Sequence, residues 1–154
     1  MTRKEFDEIF SSNINNKTQS EDSEVLEIYS HMLQTEHLED YWWEYHGENY
    51  LMSMIEKFSE NIFEKIRQDI PNWTGYQIEL FAQTLVSNDL RDYKINERIE
   101  LYLDLFEIPK SDCDLYNIFY YRAYMNLELA DKTLLIRLAE KLNYKSIDDL
   151  LADV

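Results

Sequence analysis

Three histidines, one cysteine and 31 acidic residues are the groups with which this 154-residue chain would do acid–base, nucleophilic or metal chemistry. Their spacing matches none of the arrangements that such chemistry uses. A zincin helix needs His-Glu-x-x-His, whereas His37 is followed by Leu38 and His46 by Gly47. Helical di-iron sites use Glu-x-x-His pairs, and the positions three before His31, His37 and His46 hold Ile28, Gln34 and Trp43. Glu27 and His31, four apart, share a helix face and read as a surface ion pair. Cys113 lies between Asp112 and Asp114, whose carboxylates disfavour a thiolate, so it reads as structural. A phosphate-cradling loop needs clustered glycines, and Gly47 and Gly75 stand far apart. A Ser–His–Asp triad need not be local in sequence, yet nothing marks one, and no carboxylate pair stands out among so many acids. The expectation is a protein without catalytic residues, metal or cofactor.

Two patterns point instead to binding. No Lys or Arg occurs between Lys17 and Lys57, and inside that window the acids Glu36, Glu39, Asp40, Glu44 and Glu48 interleave with Tyr41, Trp42, Trp43 and Tyr45. Acids steer a basic surface by their field, and rings with polar tips anchor it. The competing reading makes Trp42 and Trp43 core residues at a helix junction. Adjacent residues on one helix cannot both face the same core, so at least one ring is expected to be partly exposed. The second pattern is an acidic stripe. Glu97, Glu100, Asp104 and Glu107 fall within about 80° of one helix face at ~100° per residue. They read either as a solvated face or as a second place where carboxylates meet Arg and Lys of another protein, with Lys94 and Arg98 at hand to relieve their repulsion.

The elements that carry these residues are helical. Only two glycines and two prolines occur, too few for the turns of a multi-stranded sheet, while 45% hydrophobic and 14% aromatic residues supply a core. Thr2 with Glu5 forms a capping box opening a first helix, and residues 11–23, rich in Asn and Ser, read as a mobile loop. Val25, Tyr29, Met32 and Leu33 mark a second helix, with a bend near Gly47. Leu51, Ile55, Phe58, Ile62 and Ile66 predict one long amphipathic helix ending before Pro71. Asn72 or Thr74 caps the next, and Ile95 to Phe106 follows, stopped by Pro109. Ser111 with Asp114 restarts the chain, and 115–129, apolar nearly all round, is the expected central helix. Asp131 and Ser146 cap the last two. The reading is a single all-α domain over 1–154: about seven or eight helices in a compact bundle or a small, possibly HEAT-like, stack of hairpins.

The formal net charge is −16, which repels phosphate backbones and anionic membranes and draws basic proteins. Solubility alone also explains an acidic surface. The first residues, MTRKEFDEIF, lack an apolar signal region, and no stretch approaches the ~20 apolar residues of a membrane span. With a lone cysteine, this sets the expectation of a cytoplasmic protein.

In general character, and in the segments WWEYHGENYLMSMIEKF and IELYLDLFEIPKSDCDLY, the chain resembles bacterial immunity proteins of contact-dependent inhibition and related polymorphic toxin systems. The resemblance implies a basic cognate toxin, often a nuclease, bound tightly at or beside its active site, while the net charge sets the expectation of no direct nucleic-acid contact. It carries over no residue roles. Two other classes remain open: a phage-type nucleic-acid mimic, which requires an elongated double row of acids, and a helical-repeat adaptor, which requires a peptide groove.

Overall fold

Side-chain caps set where four of the helices start. Thr2 and Glu5 close the predicted capping box over α1 (Arg3–Phe10). Asp22 accepts from the Glu24 and Val25 amides to open α2 (Ser23–Thr35). Of the two candidates Asn72 and Thr74, it is Thr74 that caps, in a box with Gln77. Ser146 accepts from the Asp149 amide, whereas Asp131 precedes its helix without a side-chain bond. The computed structural model describes residues 1–87, 89–110, 114–123 and 125–154, so the readings of Ser111 and Cys113 lie outside the described residues. The remaining helices are α3 (Glu39–Trp43), α4 (Gly47–Ile55), α5 (Ile62–Asp69), α6 (Gly75–Leu85), α7 (Ile95–Leu105), α8 (Leu115–Arg122), α9 (Lys132–Lys141) and α10 (Ile147–Ala152). Short 3-10 turns lie at Ile70–Asn72 and Leu127–Leu129, and the described residues contain no strand.

The chain is all-helical and packs around α6. In α6, residues 77, 78 and 80–85 are all buried, and the helix packs on α4, α7 and α8. α9 packs on α7 and α10. The expectation of a central buried helix at 115–129 is therefore corrected. Its α-helical part ends at Arg122, and Tyr116, Tyr120 and Tyr121 face solvent, where their hydroxyls can meet water.

The long helix expected from Leu51 to Ile66 is also corrected, into α4 and α5 with a break at 56–61. The apolar ladder is continuous, but Glu24 of α2 takes both the Ser59 amide (2.9 Å) and the Ser59 hydroxyl (2.5 Å). Capping from another helix thus replaces helical bonding at Ser59, and Lys65 fixes the Glu24 carboxylate at 2.9 Å. Burial opposes ionisation of Asp22 and Glu24, yet their hydrogen bonds with Lys65, Ser59 and the α2 amides hold both below the usual carboxylate range.

Residues 11–22 form a non-helical strap that is fastened rather than loose. Asp69, buried at the end of α5, accepts from the Thr18 hydroxyl, the Gln19 amide (2.8 Å), the Asn72 side chain (3.1 Å) and the Trp73 indole (2.7 Å). The buried Tyr29 hydroxyl takes the Lys17 amide at 2.8 Å, and Gln77 reaches the Asn15 carbonyl at 2.9 Å. The polar composition of this segment supplies these bonds.

Many cations act as struts between elements. Arg98 of α7 is fully buried and donates to the carbonyls of Leu85, Ser87, Leu90 and Tyr93, pinning the turn after α6. Burial pushes its guanidinium down to about 10, so it stays charged at neutral pH. Lys110 donates to the Pro71 and Trp73 carbonyls, and Arg3 to those of Thr18 and Ser20. No helix among the described residues is long and apolar enough to cross a membrane.

Candidate partner-binding surface

The aromatic segment turns sharply, and the turn decides which ring is inside. α3 ends at Trp43, His46 adopts a left-handed conformation (φ 57°), and α4 begins at Gly47. Gly47 is needed because a Cβ there would lie 2.3 Å from the Tyr41 ring. Tyr41 stacks edge-on with Trp42 and meets His31 Nε2 through its hydroxyl at 3.0 Å. Burial holds the His31 imidazole below its ordinary range. Trp42 is fully buried and its indole donates to the Thr35 carbonyl at 3.2 Å. Trp43, one residue on, is 42% exposed. The two readings of the tandem tryptophans thus divide between them, one ring in the core and one at the surface.

Around Trp43, Glu39, Asp40, Glu44 and Tyr45 are exposed, and Tyr41 is half-buried. None of these three carboxylates has a cation within ion-pair distance among the described residues. Glu36 and Glu48 are corrected from surface acids to buried ones. Glu36 accepts from Asn15 (2.8 Å) and Gln77 (3.0 Å) because the strap folds over it. Glu48 accepts from His46 Nδ1 at 3.1 Å and faces Arg122 at 3.9 Å, while its Oε2 is buried with no partner.

Sequence reasoning missed the residues that other helices bring to this edge. Arg122, from the last turn of α8, stacks on the Trp43 ring at 4.9 Å and donates to the Trp43 carbonyl at 2.9 Å. Tyr76, at the start of α6, lies beside the Trp43 side chain. Burial and the carboxylates of Glu39, Glu36 and Glu79 push that phenol up. Glu79 in turn is held above the usual carboxylate range by burial and by the nearby Asp114 carboxylate. These contacts span from residue 39 to residue 122, and no local spacing announces them.

The acidic stripe lies elsewhere: Glu97, Glu100 and Asp104 are on α7, but Glu107 falls past its end and is not on the same helix face. Glu97, Glu100 and Glu107 are exposed and Asp104 is half-exposed. Its relief does not come from Arg98, which is turned into the core, nor from Lys94, which pairs with Glu60 at 3.1 Å. Arg67 of α5 binds Asp104 at 2.8 Å and Lys141 of α9 binds Glu107 at 3.3 Å. Half of the stripe is therefore already paired, and Ile99 and Leu103 of the same helix are buried in the core.

The α3 edge presents an exposed indole and phenols beside three carboxylates that have no ion-pair partner among the described residues, chemistry that suits contact with a cationic surface. Among the described residues, no three His, Cys, Asp or Glu side chains converge so as to hold a metal ion. The chain matches no known protein family, no curated protein and no solved structure.

Proposed function

We propose that this protein is a non-catalytic binding protein whose α3 edge takes a basic protein partner, and that it acts as an immunity protein neutralising a toxin domain. The observation that carries this reading is Trp43: a large ring left 42% exposed, next to three carboxylates without cations, beside the Tyr76–Glu79 surface of α6. Hot spots in protein interfaces are enriched in Trp, Tyr and Arg, and uncompensated acids at the rim accelerate encounter with a basic partner. The α7 stripe suits this less well, because Arg67 and Lys141 already neutralise two of its four acids.

The test is capture of a partner from the source cells, followed by binding kinetics on the purified pair. Raising salt from 0.05 to 0.5 M shortens the Debye length from roughly 14 Å to about 4 Å, so association should slow far more than dissociation speeds up. Charge reversal at Glu39, Asp40 and Glu44 should lower the on-rate. Trp43→Ala should raise the off-rate, by about 2 kcal/mol in affinity if the ring is an anchor. Reversal of Glu97, Glu100 and Glu107 is the matched control. Loss of binding in the control with retention in the α3 variants would move the interface to α7.

A further inference from the structure

Beside the Trp43 edge, the strap, the end of α2 and the start of α6 enclose an open groove of about 490 Å3, lined in part by Asn13, Asn15, Leu33, Glu36, His37 and Tyr76. That volume lies in the range of small-ligand sites. Its wall contains Glu36, which is 8% exposed and has no cation within ion-pair distance among the described residues. The Asn15 amide uses one carboxylate oxygen and the Gln77 amide the other. A carboxylate offers about four acceptor sites, so about two remain. A buried carboxylate lacking a countercharge is costly, and here only neutral amides offset it.

We propose that this groove is a socket for an alkyl guanidinium or ammonium group. The head group meets the free acceptor sites of Glu36, and the half-exposed Tyr76 ring offers a π face to the cation. The alkyl stem runs along Leu33. Glu36, Glu39 and Glu79 all bear on the Tyr76 hydroxyl, so the cleft concentrates negative potential between low-dielectric walls. If the α3 edge binds a basic protein, the socket takes an Arg or Lys of that partner, a step that rests on the reading above. The socket's own chemistry does not.

Titration of the whole protein by amide-correlation NMR tests it, using acetyl-Gly-Arg-Gly-amide, its lysine and norleucine analogues, and spermidine. The arginine and lysine peptides should give saturable, millimolar binding, with shifts centred on the Asn15 side-chain amide and Tyr76, and the norleucine peptide none. Glu36→Gln should weaken binding tenfold or more. Tyr76→Leu, which leaves the Glu36 bonds in place, should weaken it at least threefold, and Glu97→Gln should not change it. Spermidine binding tenfold tighter than the peptides would identify the source of the cation as a free polyamine. Shifts that spread along Glu97 and Glu100, or that ignore both groove variants, would overturn the socket as diffuse counterion attraction. Partner capture that depends on Trp43 but is accompanied by no peptide binding would sink the socket and leave the proposed function standing. Peptide binding without a basic partner would do the reverse.

Discussion

Replacing Asp69 with asparagine tests whether residues 11–22 are fastened to the core. The carboxylate is 4% exposed and accepts four hydrogen bonds. The Thr18 hydroxyl and the Trp73 indole reach Oδ2, and the Gln19 amide and the Asn72 side chain reach Oδ1. Asparagine keeps the shape but turns one oxygen into an NH2 donor. In the milder orientation the NH2 stands at Oδ2. The Thr18 hydroxyl can then rotate to accept, but the fully buried Trp73 N–H faces a donor. One orphaned buried donor costs about 1–3 kcal/mol. The three surviving bonds also lose charge assistance, which makes such bonds roughly twice as strong as neutral ones. The expected loss is about 2–3 kcal/mol, or a Tm lowered by roughly 4–12 °C for a chain of this size. Thermal and urea unfolding followed by circular dichroism reads the total, and hydrogen exchange at the Gln19 amide reads the strap. Asp69→Ala should cost more, since it orphans all four donors. A Tm within a degree of the parent, with Gln19 protection unchanged, would refute the reasoning.

Three more outcomes are expected. Trp42→Ala should destabilise by about 3–5 kcal/mol and Trp43→Ala by roughly 1 kcal/mol, because only the first empties a core site; equal losses in urea unfolding would contradict the division of the pair. Gly47→Ala should cost about 1–3 kcal/mol, since the new methyl displaces the Tyr41 ring from His31, and a neutral result would show the turn to be more pliant than its geometry implies. His31 is held below its ordinary range by burial, so the unfolded chain takes up a proton first as pH falls. Its contribution is complete above about pH 6.5 and is lost as pH drops toward the folded value, at no more than about 1.4 kcal/mol per pH unit. His31→Gln should flatten that part of the stability curve, and curves parallel to the parent's would count against it.

The sequence made the helical class and several helix starts legible because capping and apolar periodicity are local. Thr2 with Glu5, Thr74 and Ser146 sit where their side chains bind amides two or three residues on. It misled wherever a distant group intervened. Glu24 interrupts a continuous apolar ladder at Ser59, and Asp69 and Tyr29 collect a strap whose composition reads as loose. At the candidate surface, adjacency alone predicted that one of Trp42 and Trp43 would be exposed, but not which. That choice depends on the left-handed His46 and on Tyr41 lying over Gly47. Glu36 and Glu48 looked like their exposed neighbours because a carboxylate's burial is set by partners such as Gln77 and Arg122. The contribution of Arg122, Tyr76 and Glu79 required the fold itself.

The cationic struts determine how this molecule can be handled at the bench. Lys65 and Lys110 hold elements together through their amines, Lys94 and Lys141 tie helix ends to Glu60 and Glu107, and Arg98 cannot be reached at all. Acylating reagents, amine-coupled sensor chips and lysine crosslinkers therefore compete with the scaffold for the same nitrogens, and heavy labelling would loosen the protein while appearing only to tag it. Carbodiimide coupling has the opposite fault, since it consumes the exposed Glu39, Asp40 and Glu44 and erases the surface proposed to bind. Lys57, Lys132 and Lys145 make no ion pair among the described residues, so sparse conjugation directed there leaves both the framework and the α3 edge as they are.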